Sequence, residues 1–348
     1  MIEPSPNDLI SKLGAAEKAA LRILVDFPGT SLTDPVRNFF ESHPWAGVIL
    51  FVKNIDNASQ VKALIQNLQT INQNFYKDYP LFVSVDEEGG KVSPLQKLVT
   101  PSPGNAVLGT AGDVDAAYKL FKRRAVDLRE LGFNVNYAPV VDVNTNPKNP
   151  IIGVRAFGSD PQTVAKFGNA AIRASQEEGV MAVAKHFPGH GDTEKDSHLD
   201  LPTVHRTEQE FEKIDLYPFK EAVKAGAWGI MTAHVIYPVL DKNPATLSKK
   251  ILTDILRKQL NFQGIIFTDS FAMAAIKEHF DLEEAVMRSV EAGADILLAL
   301  GDASTQMDTF DILKKAIEKK KISEENINEP LRRILSFRHK LGLDFHSK

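Results

Sequence analysis

Eight short apolar runs recur along the chain: ILVDF (23–27), AGVILFV (46–52), LFVSVD (81–86), FNVNYAPV (133–140), VMAVAKHF (180–187), WGIMTAH (228–234), GIIFTD (264–269) and DILLALG (295–301). Longer amphipathic stretches lie between them, such as SQVKALIQNLQTINQNF (59–75), AAYKLFKRRAVDLREL (116–131), PQTVAKFGNAAIRASQEE (161–178), QEFEKIDLYPFKEAVKAG (209–226), KKILTDILRKQL (249–260) and LEEAVMRSVEAG (282–293), with apolar residues three and four apart. A strand that is apolar throughout must be covered on both faces, and a helix between successive strands is the connection that parallel pairing needs. Eight such units with no Gly-Ser linker between them favour closure into a (β/α)8 barrel of the α/β class over an open doubly wound sheet. The expectation is one domain over residues 1–348, with a barrel core at about 21–301 and C-terminal helices at about 305–343, where EPLRRILSFRHKLGL (329–343) reads as an amphipathic helix against the body.

Composition narrows the chemistry. With 348 residues, 43% hydrophobic and 25% charged, the chain buries a large core and carries no signature of disorder. A net charge of −4 gives no electrostatic reason to expect nucleic acid or an anionic membrane, which leaves a small molecule as the expected partner and no obligate protein partner in view. The absence of cysteine removes disulfides, thiolate nucleophiles and thiolate-bound metals, so any metal would need His and carboxylate ligands. The first residues, MIEPSPNDLISKLG, lack a basic segment followed by an apolar run, and no apolar stretch reaches 18 residues, so a cytoplasmic protein is expected.

In a parallel barrel the chemistry sits where strands end, so a polar residue closing an apolar run is informative. The third run ends at Asp86 inside VDEEGGKV, the fifth at Lys185-His186, the sixth at His234 and the seventh at Asp269. Each has a plain structural reading: an aspartate closing a strand caps the next helix, and a lone histidine there is more often a hydrogen-bonded core residue than a catalyst. Four ionisable strand ends on one rim is nevertheless a costly arrangement for structure alone. After the fifth run, KHFPGHGDTEKDSHLDLP (185–202) holds three histidines and four carboxylates on a path bent by two prolines and two glycines. Within it Asp196 lies two residues from His198, close enough in a turn to orient the imidazole and support its protonated form.

This segment resembles the signature K-H-F-P-G-H-G-x4-D-S-H-x3-P of glycoside hydrolase family 3, in its β-N-acetylglucosaminidase branch. The likeness extends through VDEEGGKV (85–92), APVVDVN (138–144), NPIIGVRAFGSD (149–160), MTAHVIYP (231–238) and FTDSFAM (267–273). The resemblance implies a single-barrel retaining enzyme that needs no cofactor and no metal. Asp269 would be the nucleophile, and His198 paired with Asp196 the acid and base, in place of the second carboxylate of most glycosidases. It also implies that Asp86, Arg155, Lys185 and His186 grip the sugar while His234 and Met273 line the same pocket. The expected activity is exo-acting release of terminal β-linked N-acetylglucosamine from muropeptide fragments or chitin oligosaccharides.

The pattern is not followed everywhere. Where the family reads D-Q-E-G-G-R-V-x-R, this chain has Glu87 for the glutamine, Lys91 for the first arginine and Pro94 for the second, leaving Lys97 as the available substitute donor; Ser270 follows Asp269 where a second aspartate is frequent. Lysine lacks the planar fork of arginine and proline has no side-chain donor. Other readings stay open. One is a metal-dependent hydrolase or dioxygenase using His186, His190, Asp192 and His198, another a Schiff-base aldolase built on Lys185. A carbohydrate-binding protein without turnover and a phosphorylase attacking the same glycosyl-enzyme complete the set.

Overall fold

The computed structural model describes residues 5–76, 79–194 and 201–343. Each of the eight apolar runs contains one strand: β1 (Ile23–Val25), β2 (Gly47–Ile49), β3 (Phe82–Val85), β4 (Val135–Asn136), β5 (Met181–Phe187), β6 (Gly229–Thr232), β7 (Ile265–Phe267) and β8 (Leu297–Leu298). All pair in parallel in chain order, and β8 returns to β1 with Ile23 opposite Leu297. A parallel bridge from Phe267 to Ile296 joins β7 to the approach of β8, so the sheet closes into a barrel as the eight-fold alternation predicts.

Side chains alternate across the barrel wall. Leu24, Ile49, Phe82, Val135, Met181, Val183, Met231, Ile265 and Leu298 form one buried cluster inside, while Ile23, Val25, Val48, Val83 and Ala182 belong to the larger cluster beneath the helices. The helices follow their periodic stretches closely. Ala58–Tyr76 buries Val61, Leu64, Ile65, Leu68 and Ile71, three and four residues apart, and Pro161–Glu177 starts at Asp160, whose carboxylate accepts from Thr163 N–H at 2.8 Å ahead of Pro161. The C-terminal helix runs Glu324–Lys340 and starts five residues earlier than its apolar pattern suggests, because Ser323 caps it and Pro330 is accommodated within it. Its Ile334 joins the inner cluster and Arg338 donates to the Ala46 carbonyl at 2.9 Å, so this helix closes the N-terminal end of the barrel. No helix among the described residues is long and apolar enough to cross a membrane.

Candidate active site

A cavity of about 640 Å³ opens at the C-terminal ends of the strands, and Asp86, Glu88, Arg155, Lys185, His186 and Asp269 all line it. Five of these six were singled out from the sequence, and the fold brings them together from four different strand-loop units.

The cationic side of the site is an ion network. Lys185, 3% exposed, places Nζ 2.5 Å from Asp86 Oδ1 and 2.7 Å from Glu88 Oε1, and Glu88 in turn holds Arg155 in a fork, Nε at 2.9 Å and Nη2 at 2.7 Å. Burial resists the charge on Glu88, but Lys185 and Arg155 overcome it and bring its pKa down to about 2. The same exchange, with Asp86 and Glu88 outweighing burial, raises Lys185. Because Glu88 is ionised more easily folded than unfolded, its contribution, on the order of 3 kcal/mol, is complete above its ordinary value of 4.5 and fades as the pH falls towards 2. The urea midpoint is therefore expected to drop between pH 6 and pH 3. Glu88→Gln should lower stability at pH 7 by about 3–5 kcal/mol, by stranding buried cations, and should flatten that acid slope.

His186 is set by a residue the sequence reading passed over. Asp142 is fully buried and accepts from His186 Nδ1 at 2.7 Å, from the His186 N–H at 3.2 Å and from the His190 N–H at 2.7 Å, leaving His186 Nε2 for the cavity. Burial opposes ionisation of Asp142, but His186 and His190 outweigh it and hold the carboxyl below its usual range. Burial and the neighbouring His186 push His190 down to about 4, which keeps it neutral at ordinary pH, and its Nδ1 meets Thr193 Oγ1 at 3.0 Å. Glu88 and Asp142 both carry a sequence signal: Glu88 stands in VDEEGGKV, and Asp142 closes the apolar stretch that continues past Val140 through Val141.

Asp269 lies two residues past the end of β7 and is part-exposed to the cavity. The Ser270 N–H donates to its Oδ1 at 2.7 Å. Burial disfavours its charge, but His234, His186, the Ser270 N–H and Lys185 together hold the carboxyl below the usual range. A carboxylate held ionised at the wall of a polar cavity is suited to attack an electrophilic carbon.

Local devices aim these groups. Gly89 and Gly90 adopt φ +88° and +60°, and a Cβ at Gly90 would fall 2.8 Å from Gly104 Cα, so the turn after β3 requires glycine. Asn136 brackets Glu87, accepting from its N–H at 2.9 Å and donating to its carbonyl at 3.1 Å. Asn149 accepts from the Ile151 and Ile152 N–H groups at 2.9 and 2.7 Å and so shapes the loop that presents Arg155.

The departures from the family pattern separate by place. Glu87 turns inward, buried against Arg124 at 2.5 Å and the Leu95 N–H at 2.8 Å, and does not line the cavity. Lys91 and Lys97 are exposed and also lie outside the lining, so neither supplies the donor that Pro94 lacks. Val92 and Pro94 themselves line that wall, which is apolar there. Met273 lines the cavity, half-buried. His234 does not: it is fully buried behind the wall, with Nδ1 at 2.8 Å from Thr246 Oγ1 and Nε2 donating to the Ser270 carbonyl at 2.9 Å, so the plain core reading of this histidine describes its surroundings better than the pocket-lining one.

Asp196, Ser197 and His198 lie outside the described residues. The chain on either side of them is anchored: Asp192 accepts from Thr145 Oγ1 at 2.6 Å and pairs with Arg206 at 3.3 Å, and Arg206 reaches Asp215 at 3.0 Å. Among the described residues, no cluster of three or more histidines and carboxylates has the arrangement to hold a metal ion.

Residues 17–337 match the model of the glycosyl hydrolase family 3 N-terminal domain. The chain is 36% identical to β-hexosaminidase A of Pseudoalteromonas piscicida, over 90% of this chain and 56% of that protein, and 36% identical to a β-hexosaminidase of Nitrosomonas eutropha, over 80% of each. Its fold superposes on a family 3 β-N-acetylglucosaminidase from Paenibacillus sp. FPU-7 with TM-score 0.92 and 39% identity, over 95% of this chain and 63% of that one. The chain thus spans little more than half of the first of these relatives and under two thirds of the solved one. With the family model matched from residue 17 to residue 337, this chain belongs to glycosyl hydrolase family 3.

Proposed function

We propose that this chain is an exo-acting, retaining β-N-acetylglucosaminidase whose barrel works as one domain. The observation that carries the proposal is the ionised Asp269 facing the same cavity as the Asp86–Lys185–Glu88–Arg155 network and the Asp142-oriented His186. In this reading Asp269 attacks the anomeric carbon as the leaving oxygen takes a proton from His198, forming a glycosyl-enzyme. His198, supported by Asp196, then draws a proton from water, whose oxygen displaces Asp269 with net retention. Lys185, Arg155, Asp86 and His186 grip sugar hydroxyls through charge-assisted hydrogen bonds, a job suited to a network whose charges are already balanced. Glu88 and Asp142 hold those groups in place, while Met273, Val92 and Pro94 give the cavity its apolar faces. The names of the β-hexosaminidase relatives support the same substrate class. Muropeptide fragments inside the cell and chitin oligosaccharides are the natural substrates that fit.

A panel of nitrophenyl β-glycosides, run with and without inorganic phosphate, tests the proposal. The N-acetylglucosaminide is expected to turn over at least about tenfold faster than the glucoside and the xyloside, with free sugar as product in both buffers; a 1.4 kcal/mol difference in transition-state binding is enough for that ratio. Preference for the glucoside would move the substrate class. Sugar phosphate as the product would replace hydrolysis by phosphorolysis.

A further inference from the structure

His234, Thr232 and Thr246 are all fully buried, none lines the cavity, and together they form a hydrogen-bonded frame around the strand end that carries Asp269. The frame can be followed from one end of that residue to the other. The Asp269 N–H donates to Thr232 Oγ1 at 3.3 Å, Thr232 and Thr246 share a hydrogen bond at 2.8 Å, and Thr246 Oγ1 lies 2.8 Å from His234 Nδ1. His234 Nε2 then meets the Ser270 carbonyl at 2.9 Å, and the Ser270 N–H returns to Asp269 Oδ1 at 2.7 Å. A carbonyl oxygen only accepts, so Nε2 carries the hydrogen whatever the charge of the ring. With Thr232 donating to it, the Thr246 hydroxyl has its one hydrogen for either His234 Nδ1 or the Ala233 carbonyl at 3.0 Å, so it completes the chain to a neutral ring and can turn away from a protonated one.

We infer that His234 is a positioning residue: by holding the backbone at Ser270 it fixes the direction of the Asp269 carboxylate, and Thr232 and Thr246 are part of the same device. The inference rests on Asp269 being the nucleophile. The backbone is held at the Asp269 N–H by Thr232 and at the Ser270 carbonyl by His234, so the Asp269–Ser270 peptide between these two anchors is fixed, and its Ser270 N–H grips Oδ1, which sets the carboxylate's rotation and leaves Oδ2 to attack. Apolar side chains of the same size would fill the space of the two threonines and hold the fold equally well, but would leave the chain without a path. Since none of the three reaches the sugar, they act on turnover and not on substrate affinity.

The test uses the full chain and a nitrophenyl N-acetyl-β-glucosaminide. His234→Leu is expected to lower kcat by about 100-fold, the cost of displacing a reacting group by a fraction of an ångström to an ångström, with KM within about twofold of wild type. Thr246→Val should lower kcat by about tenfold, Thr246→Ser should restore it, and His234→Gln, whose amide can donate to Ser270 and accept from Thr246, should recover most of the loss. Groups acting as one unit are not additive, so the double change Thr246→Val/His234→Leu should cost no more than His234→Leu alone. A raised KM with kcat retained would place His234 against the sugar and overturn the inference, as would a lowered melting temperature with kcat untouched. Should His234→Leu fail to fold, the near-isosteric Thr246→Val decides by the same criteria. Asp269→Ala is assayed alongside: activity in that variant removes the nucleophile assignment itself, whereas its inactivity beside an unimpaired His234→Leu removes the positioning role alone.

Discussion

Replacing Asp269 with alanine is expected to lower kcat on a nitrophenyl N-acetyl-β-glucosaminide by about four to five orders of magnitude, because among the described residues every other carboxylate on the cavity wall is already engaged with a cation. Glu88 is committed to Arg155 and Lys185, Asp86 to Lys185, and Asp26 to Lys53. The shortened side chain leaves room on the nucleophile's side of the sugar, so added azide should restore part of the rate with activated substrates and give the α-glycosyl azide. That product has inverted configuration, and its appearance identifies the face from which Asp269 attacks. Undiminished hydrolysis without azide would refute the assignment. The result would also be informative about pH: with the Asp269 carboxyl held below its usual range, the acid limb of kcat/KM above about pH 5 must belong to another group.

Replacing His198 with alanine should separate substrates by their leaving groups. Chitobiose-type glycosides, whose leaving oxygen must be protonated, are expected to lose about 10²–10⁴-fold, the usual worth of a general acid. Nitrophenyl glycosides need little protonation and should lose far less in the first step; their remaining deficit should appear as accumulated glycosyl-enzyme, because the base for water is also missing. An equal loss on both substrate types would argue against the acid role. Asp196→Asn should give a weaker version of the same pattern, since it removes the partner of the imidazole without removing the imidazole.

Much of this molecule was readable from residue order. The eight runs contain the eight strands, and the helix over 59–75 is found at Ala58–Tyr76, because strict apolar periodicity over a long window leaves few ways to bury the apolar face. The strand ends were also readable: Asp86, Lys185, His186 and Asp269 stand at one mouth because parallel strands all end on the same side. Arg155 was reached through the resemblance, since its segment, a short helical turn at Gly153–Arg155 held by Asn149 and Asn105, carries no periodic signal.

What residue order could not supply was partnership. Glu88 and Asp142 look like loop carboxylates until the fold sets one between Lys185 and Arg155, 97 and 67 residues away, or against His186, 44 residues away. Glu87 and Glu88 are neighbours of one type, yet one turns to Arg124 under the sheet and the other faces the cavity, a division set by the Gly89-Gly90 turn and the Asn136 bracket. His234 ends a strand as Asp269 does, but the close approach of the Thr246 turn covers it and turns its ring to a backbone carbonyl. The barrel and its ionisable rim therefore follow from local pattern, since hydrophobic periodicity is a property of nearby residues. Which charge neutralises which, and which polar side chain faces the cavity and which the wall behind it, is decided only by contacts between distant segments that closure of the barrel brings within hydrogen-bonding distance.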